Sequence, residues 1–205
     1  MTLKDKDILR SYIPENAVEM TYNLIASYHV RVDIVRSRKR IHGSYRKPRN
    51  PVNYHLITVN YDLNPYAFLI TLLHEFAHLQ AWINHKSLEH GNAWKNCFAT
   101  LLKQFIALNV FPDYVQYALE KHIQNVKSSD FLDVFLTKTL QKYDKNSFAS
   151  QGLTALEDVP ENTVFSFGNK KMEKQKLIRK YYLCKELKTN KLYRCHPLMQ
   201  VSLAE

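Results

Sequence analysis

His74 and His78 stand four residues apart, with Glu75 directly after the first. On a helix that spacing turns both imidazoles to one side, one turn apart. The separation suits two nitrogens each about 2.1 Å from a single Zn²⁺. Glu75 is rotated about 100° from His74, so its carboxylate can reach water at the metal without displacing a protein ligand. Such a trio performs metal-assisted hydrolysis: the ion lowers the pKa of water from about 15.7 towards about 7, and the carboxylate takes the proton. With nine His and ten Glu in 205 residues, chance placement yields about 0.02 HExxH matches. Chance is a poor explanation.

A catalytic zinc needs a third protein ligand and one open position. His85 lies seven residues after His78, two turns or about 10.5 Å along the axis, too far to share an ion with both helical histidines. His90 follows the polar stretch Asn84 to Glu89 and precedes Gly91, where the chain turns into its next helix and can fold back on the metal. His90 is therefore the expected third ligand, with Glu89 or Glu120 as a carboxylate alternative. The zinc-protease spacing with Gly three residues after the second His and a third His three beyond it does not hold, because Ala81 and Asn84 occupy those places.

The elements that must position these groups are legible around them. Asn64-Pro65 is a helix start, a capping Asn followed by Pro at the first helical position. The helix it opens runs to about Asn84, with Phe68, Leu69, Leu72, Leu73, Phe76 and Leu79 as apolar faces. A second helix over roughly 92–108 sets Trp94, Phe98, Leu101, Leu102, Phe105 and Ile106 on one stripe and is stopped by Pro112. Trp82 and Trp94 are expected to pack these two helices together, and Cys97 to fill space beside Phe98. Upstream, residues 14–27 have helical spacing. Val30, Val32 and Ile34 alternate as in a half-buried strand, Gly43-Ser44 reads as a turn before a short strand with Tyr45, and His55 to Asn60 is a third strand. Helical patterns continue at 113–125 and at 130–143, the latter begun by Ser129 or Asp130. Strands are expected at 163–167, 179–183 and 192–195, after a linker at 144–161. His29, His42, His55 and His122 are isolated in sequence and read as strand, turn or surface residues.

Charge adds a second theme. The chain carries 29 Lys+Arg against 19 Asp+Glu, a net charge of +10. Seven bases and no acid lie between Arg36 and Arg49, and ten bases against Glu173 and Glu186 lie between Lys170 and Arg194. Segregation of this kind points to an anionic partner, DNA first, through Arg36, Arg38, Lys39, Arg40, Arg46 and Lys47. Tyr45, Tyr54 and Tyr61 are candidates for stacking on unpaired bases. A composition of 45% hydrophobic residues with four Gly and seven Pro excludes disordered, collagen-like and low-complexity classes. The best apolar run, Ala67 to Leu73, is about a third of the ~20 residues a bilayer requires, so no membrane partner is expected. Three Cys without paired spacing and a charged start without a secretory apolar stretch suggest a cytoplasmic protein, nucleoid-associated where DNA is its partner.

HEFAH at 74–78, Trp82, His90-Gly91 and Trp94-Lys95, with Arg36-Ser-Arg-Lys, Gly43-Ser-Tyr-Arg and Ile57-Thr-Val-Asn60 upstream, resemble the SprT-like metallopeptidases. The eukaryotic member of that group, Spartan, is a DNA-dependent protease of DNA–protein crosslinks. The resemblance covers about residues 14 to 110. It implies an α+β fold with a zincin-like αβββα core, zinc on His74, His78 and His90, and Glu75 as general base. Bacterial SprT proteins end in a zinc ribbon with paired cysteines, where this chain has single cysteines at Cys184 and Cys195, followed by His196. The expected organisation is a metallopeptidase core with helical extension at 1–143, the linker, and a degenerate zinc-ribbon-like β appendage at 162–205. One zinc ion is expected and no second at Cys184 and Cys195, since three ligands without CxxC spacing make a poor site. The expected activity is zinc-dependent cleavage of protein, DNA-bound protein included. The alternative from another class is a non-catalytic, zinc-containing DNA-binding scaffold.

Overall fold

A computed structural model describes residues 5–38, 41–124, 126, 133–144 and 152–203. The chain is a mixed α+β protein that divides into two compact units, Met1–Tyr143 and Asp144–Glu205.

The first unit is organised around one helix. Short helix α1 (Lys6–Arg10) and α2 (Val18–Ala26) lead into strands β1 (Val30–Val35), β2 (Gly43–Arg46) and β3 (His55–Asn60). The three strands form a sheet in the order β1-β3-β2, with β1 parallel and β2 antiparallel to β3. Pro14 does not open an α-helix directly. A 3₁₀ turn, Glu15–Ala17, comes first, and α2 starts at Val18. Gly43, expected in a turn, is instead the first residue of β2, paired with Val59.

Helix α3 (Pro65–His85) begins as its sequence signals require: the Asn64 side chain accepts from the Ala67 amide at 2.9 Å, with Pro65 inside the first turn. Phe68, Leu69, Ile70, Leu72, Leu73, Phe76, Ala77, Leu79 and Ala81 are all buried, so this helix is apolar nearly all round and forms the centre of the core. It ends where Lys86 takes a left-handed conformation (φ 54) and returns its amide to the Trp82 carbonyl at 2.9 Å. Helix α4 (Asn92–Ile106) packs its Trp94–Phe98–Leu101–Leu102–Phe105 stripe into the same core. Helices α5 (Asp113–Gln124) and α6 (Val134–Gln141) complete the unit. Asp133 caps α6 through the Leu136 amide and also meets His122 Nδ1 at 2.9 Å. His122 is thus a buried joint between two helices rather than a surface residue. Ser129 and Asp130, the caps expected from sequence, lie outside the described residues.

The second unit is a six-stranded antiparallel sheet in the order β4-β9-β5-β6-β7-β8. Its strands are β4 (Thr154–Ala155), β5 (Val164–Phe167), β6 (Lys170–Ile178), β7 (Tyr181–Glu186), β8 (Leu192–Cys195) and β9 (Gln200–Leu203). Leu156, Val159, Phe165, Met172, Cys184, Cys195 and Val201 form its small core. Residues 154–159, read from sequence as linker, belong to this sheet and core. Strand β6 is nearly invisible to hydropathy because its second inward residue is Lys174. That side chain is buried, with its ammonium donating to the Glu157 and Val159 carbonyls and lying 3.8 Å from the Tyr182 ring centroid.

Candidate metal centre

His74 and His78 project from the middle of α3, and the turn after Lys86 brings His90 back over them. The Nε2 atom of His90 lies 3.2 Å from that of His74 and 3.1 Å from that of His78. Nitrogens around a tetrahedral ion with bonds of about 2.05 Å would be about 3.3 Å apart, so the spacing fits one shared metal. The three ligand atoms all fall within 4.8 Å of one another, and among the described residues no other group of His, Cys, Asp or Glu does this. Glu89, Glu120 and His85 stand outside the cluster. Three imidazole donors suit a first-row divalent ion and leave a coordination position open.

The cluster is held from behind by α4. Trp94 is fully buried, its indole N–H donates to the His74 carbonyl at 3.3 Å, and its ring centroid lies 4.6, 5.5 and 4.5 Å from those of His74, His78 and His90. Phe98 stacks behind it at 5.1 Å. Trp94 does more than join the helices: it is the wall that limits how the three imidazoles can turn. His78 is held neutral, its pKa pushed down to about 3 by burial first and then by the other two rings, while a hydrogen bond to the Leu88 backbone acts in the opposite direction. Neutral imidazole is the form that binds metal. A backbone contact such as that between the His78 ring and Leu88 fixes which way an imidazole faces.

Glu75 is 6% exposed and faces the sheet. A Cβ added at Gly43 would come within 2.7 Å of Glu75 Oε1 and of Thr71 Cγ2. Strand β2 therefore approaches α3 as closely as only glycine permits. Two residues on, the Tyr45 ring lies parallel to His78 (6.3 Å, 3°), and its hydroxyl shares a 2.8 Å hydrogen bond with His55 Nδ1. Burial raises the Tyr45 pKa well above its ordinary value. His55 is lowered by burial and by the nearby charges of His29 and Lys86.

Residues expected at a nucleic-acid surface are placed unequally. Arg36, Arg46 and Lys47 are exposed, whereas Lys39 and Arg40 lie outside the described residues. Arg38 turns inward: its guanidinium donates to Asn60 Oδ1 at 2.9 Å, Ser44 Oγ at 3.5 Å and the His42 carbonyl at 3.4 Å. Asn60, 1% exposed, donates back to the Ile41 carbonyl at 3.0 Å. Burial lowers the Arg38 pKa while the Glu75 charge opposes that shift. Arg38 and Asn60 thus anchor Ile41, His42 and Ser44 beside the end of β3. In the second unit, Cys184 and Cys195 share a thiol–thiol hydrogen bond that, with burial, raises the Cys184 pKa. They join no metal cluster among the described residues.

Missed from sequence alone were the roles of Gly43, Asn60 and Trp94. Gly43 carries a signal in retrospect, since a glycine in a run that alternates as a strand marks a close backbone approach. No protein-family model, curated protein or solved structure matches the chain. No helix among the described residues is long and apolar enough to cross a membrane.

Proposed function

We propose that this chain is a zinc-dependent metallopeptidase of the SprT-like kind, with a zincin-like core and a degenerate zinc-ribbon-like appendage, acting on proteins that include DNA-bound ones. The observation that carries it is the convergence of three Nε2 atoms at 3.1 and 3.2 Å beside a buried carboxylate one residue from the first of them. His74, His78 and His90 would hold the ion. Zinc bound there supplies Lewis acidity, polarising a substrate carbonyl and making water more acidic. Glu75 accepts a proton from water as the water oxygen adds to the scissile carbonyl carbon. It returns the proton to the amine nitrogen as the C–N bond breaks. Gly43 and Thr71 limit where that carboxylate can sit, and proton transfer depends on such placement.

Glu75→Gln should keep the metal, measured by elemental mass spectrometry, and lose protein cleavage. Cleavage by that variant at the wild-type rate would refute the mechanism. DNA as a partner is supported by Arg36, Arg46 and Arg49, none of which pairs with a carboxylate among the described residues. The non-catalytic scaffold accounts for those charges equally well. It leaves unexplained a carboxylate buried next to a three-ligand site with an open position, since a structural zinc site closes with a fourth ligand.

A further inference from the structure

Alternate residues of β2 and its continuation keep step with one face of α3. Two strand residues advance about 6.6 Å and one helical turn about 5.4 Å, so the contacts repeat for three rungs. Gly43 meets Glu75 and Thr71, Tyr45 lies over His78, and Lys47 places its ammonium 4.1 Å from the centroid of Trp82. Trp82 is one turn beyond His78. At the helix end Lys86 brings a second ammonium to 5.7 Å from the same ring. His55, hydrogen-bonded to Tyr45, feels the Lys86 charge. Lys47 and Lys86 pair with no carboxylate among the described residues.

Two unpaired cations fixed on one indole, a turn away from a metal site, form a place for a carboxylate. We propose that Lys47 and Lys86, around Trp82, form a subsite for an acidic side chain of the peptide substrate, about two residues from the bond that is cut. The distance follows from the single helical turn between His78 and Trp82, set against about 3.3 Å per extended residue. The proposal rests on the peptidase reading of the metal centre. An acidic peptide suits the site better than a nucleic acid does. The indole already carries two ammonium groups where a base would have to stack, and Trp82 is only one helical turn from His78.

The test uses the Glu75→Gln variant of the 205-residue chain, loaded with zinc, which should bind without cutting. Fluorescence anisotropy would compare a labelled Glu/Ala peptide with its Gln/Ala counterpart. Preference for the Glu peptide should be at most about tenfold, the size that two exposed ion pairs provide together. It should fall to about twofold or less in Lys47→Ala/Lys86→Ala. The pair Lys103→Ala/Lys121→Ala, two exposed lysines on α4 and α5, removes the same charge elsewhere and should retain the preference. Lys47→Glu/Lys86→Glu should prefer a Lys/Ala peptide, a reversal that misfolding does not produce. Equal binding of the Glu and Gln peptides overturns the subsite, as does an equal loss in the charge-matched pair. It is also overturned if the Lys47/Lys86 pair matters only for a single-stranded oligonucleotide, which would make the patch a nucleic-acid surface. Turnover by the unsubstituted protein separates the two ideas. Cleavage of both peptides at equal rates keeps the peptidase and removes the subsite. Lysine-dependent preference with no cleavage of any peptide keeps the subsite as an anion site and removes the peptidase.

Discussion

Replacing Gly43 with alanine tests the contact that places Glu75. The new methyl carbon would lie 2.7 Å from Glu75 Oε1, 2.7 Å from Thr71 Cγ2 and 2.9 Å from Glu75 Cγ, where ordinary contact begins at 3.4 Å. Something must yield by about 0.7 Å. Thr71 is buried and β-branched, with at most two side-chain rotamers open to it on a helix. Strand β2 is fixed on its other side by its ladder to β3. Most of the displacement therefore falls on the Glu75 carboxylate. Overpacking of this kind costs about 1–3 kcal/mol, which at roughly 2–4 °C per kcal/mol lowers Tm by about 2–12 °C. A displacement approaching 1 Å in a catalytic group costs about 10²-fold in rate, so kcat should fall roughly ten- to a hundredfold. Zinc content should stay near one per chain, because Glu75 is rotated about 100° from His74 on α3 and the atoms the new methyl meets first belong to Glu75 and Thr71. The assay is zinc by elemental mass spectrometry, Tm by calorimetry and kcat on an unfolded protein substrate, each beside Gly91→Ala. A Cβ at Gly91 meets nothing within 4 Å, so that control should lose at most about 1 kcal/mol from a weaker helix cap and keep its kcat. Wild-type kcat and Tm in Gly43→Ala would refute the close approach of β2 to Glu75. Loss of zinc in that variant would show that the strand supports the ligands rather than the base.

Four other outcomes are expected. His90→Ala should reduce zinc from about one per chain to a small fraction, and full retention would exclude the three-histidine site. Trp94→Phe keeps most of the packing but loses the donor to the His74 carbonyl. Its zinc affinity, measured against a chelating dye, should fall roughly tenfold, and unchanged affinity would deny Trp94 that role. Arg36→Ala/Arg46→Ala should weaken DNA binding and flatten its salt dependence, and an unchanged slope would remove these residues from any DNA interface. Hydrogen bonds from Thr189 and Tyr193, together with the Lys170 charge, hold the Glu186 carboxylate below its ordinary pKa. Stability from this source is present above pH 4.5 and is lost as pH falls below it. Glu186→Gln should therefore flatten the acid side of the second unit's stability profile, and an unchanged profile would place that dependence elsewhere.

The clustering of the three histidines was legible because it depends on local rules. Helical period places His74 and His78 together, rise per residue excludes His85, and the Asn64-Pro65 cap sets the helix boundary. What could not be read depends on approach between elements. Nothing local says that Gly43 stands against Glu75, or that Arg38 turns away from its basic neighbours to bond Asn60. Strand β6 escaped because hydropathy assigns lysine to the surface, whereas Lys174 is buried and satisfied by two carbonyls. Residues 154–159 looked like linker because their contribution is two paired residues and a few side chains in a distant sheet's core.

On the proposed metal reading, the division of the three histidines between a helix and a connection has a kinetic consequence. His74 and His78 are carried by the largely buried helix α3, so an arriving ion would meet two donors already in place. His90 sits on the 86–91 connection, outside both helices. Capture would then be sequential, two donors followed by one, and escape would begin with His90. The lifetime of a bound ion would be governed by that connection rather than by global unfolding, and a chelator should strip the protein far faster than the fold itself opens.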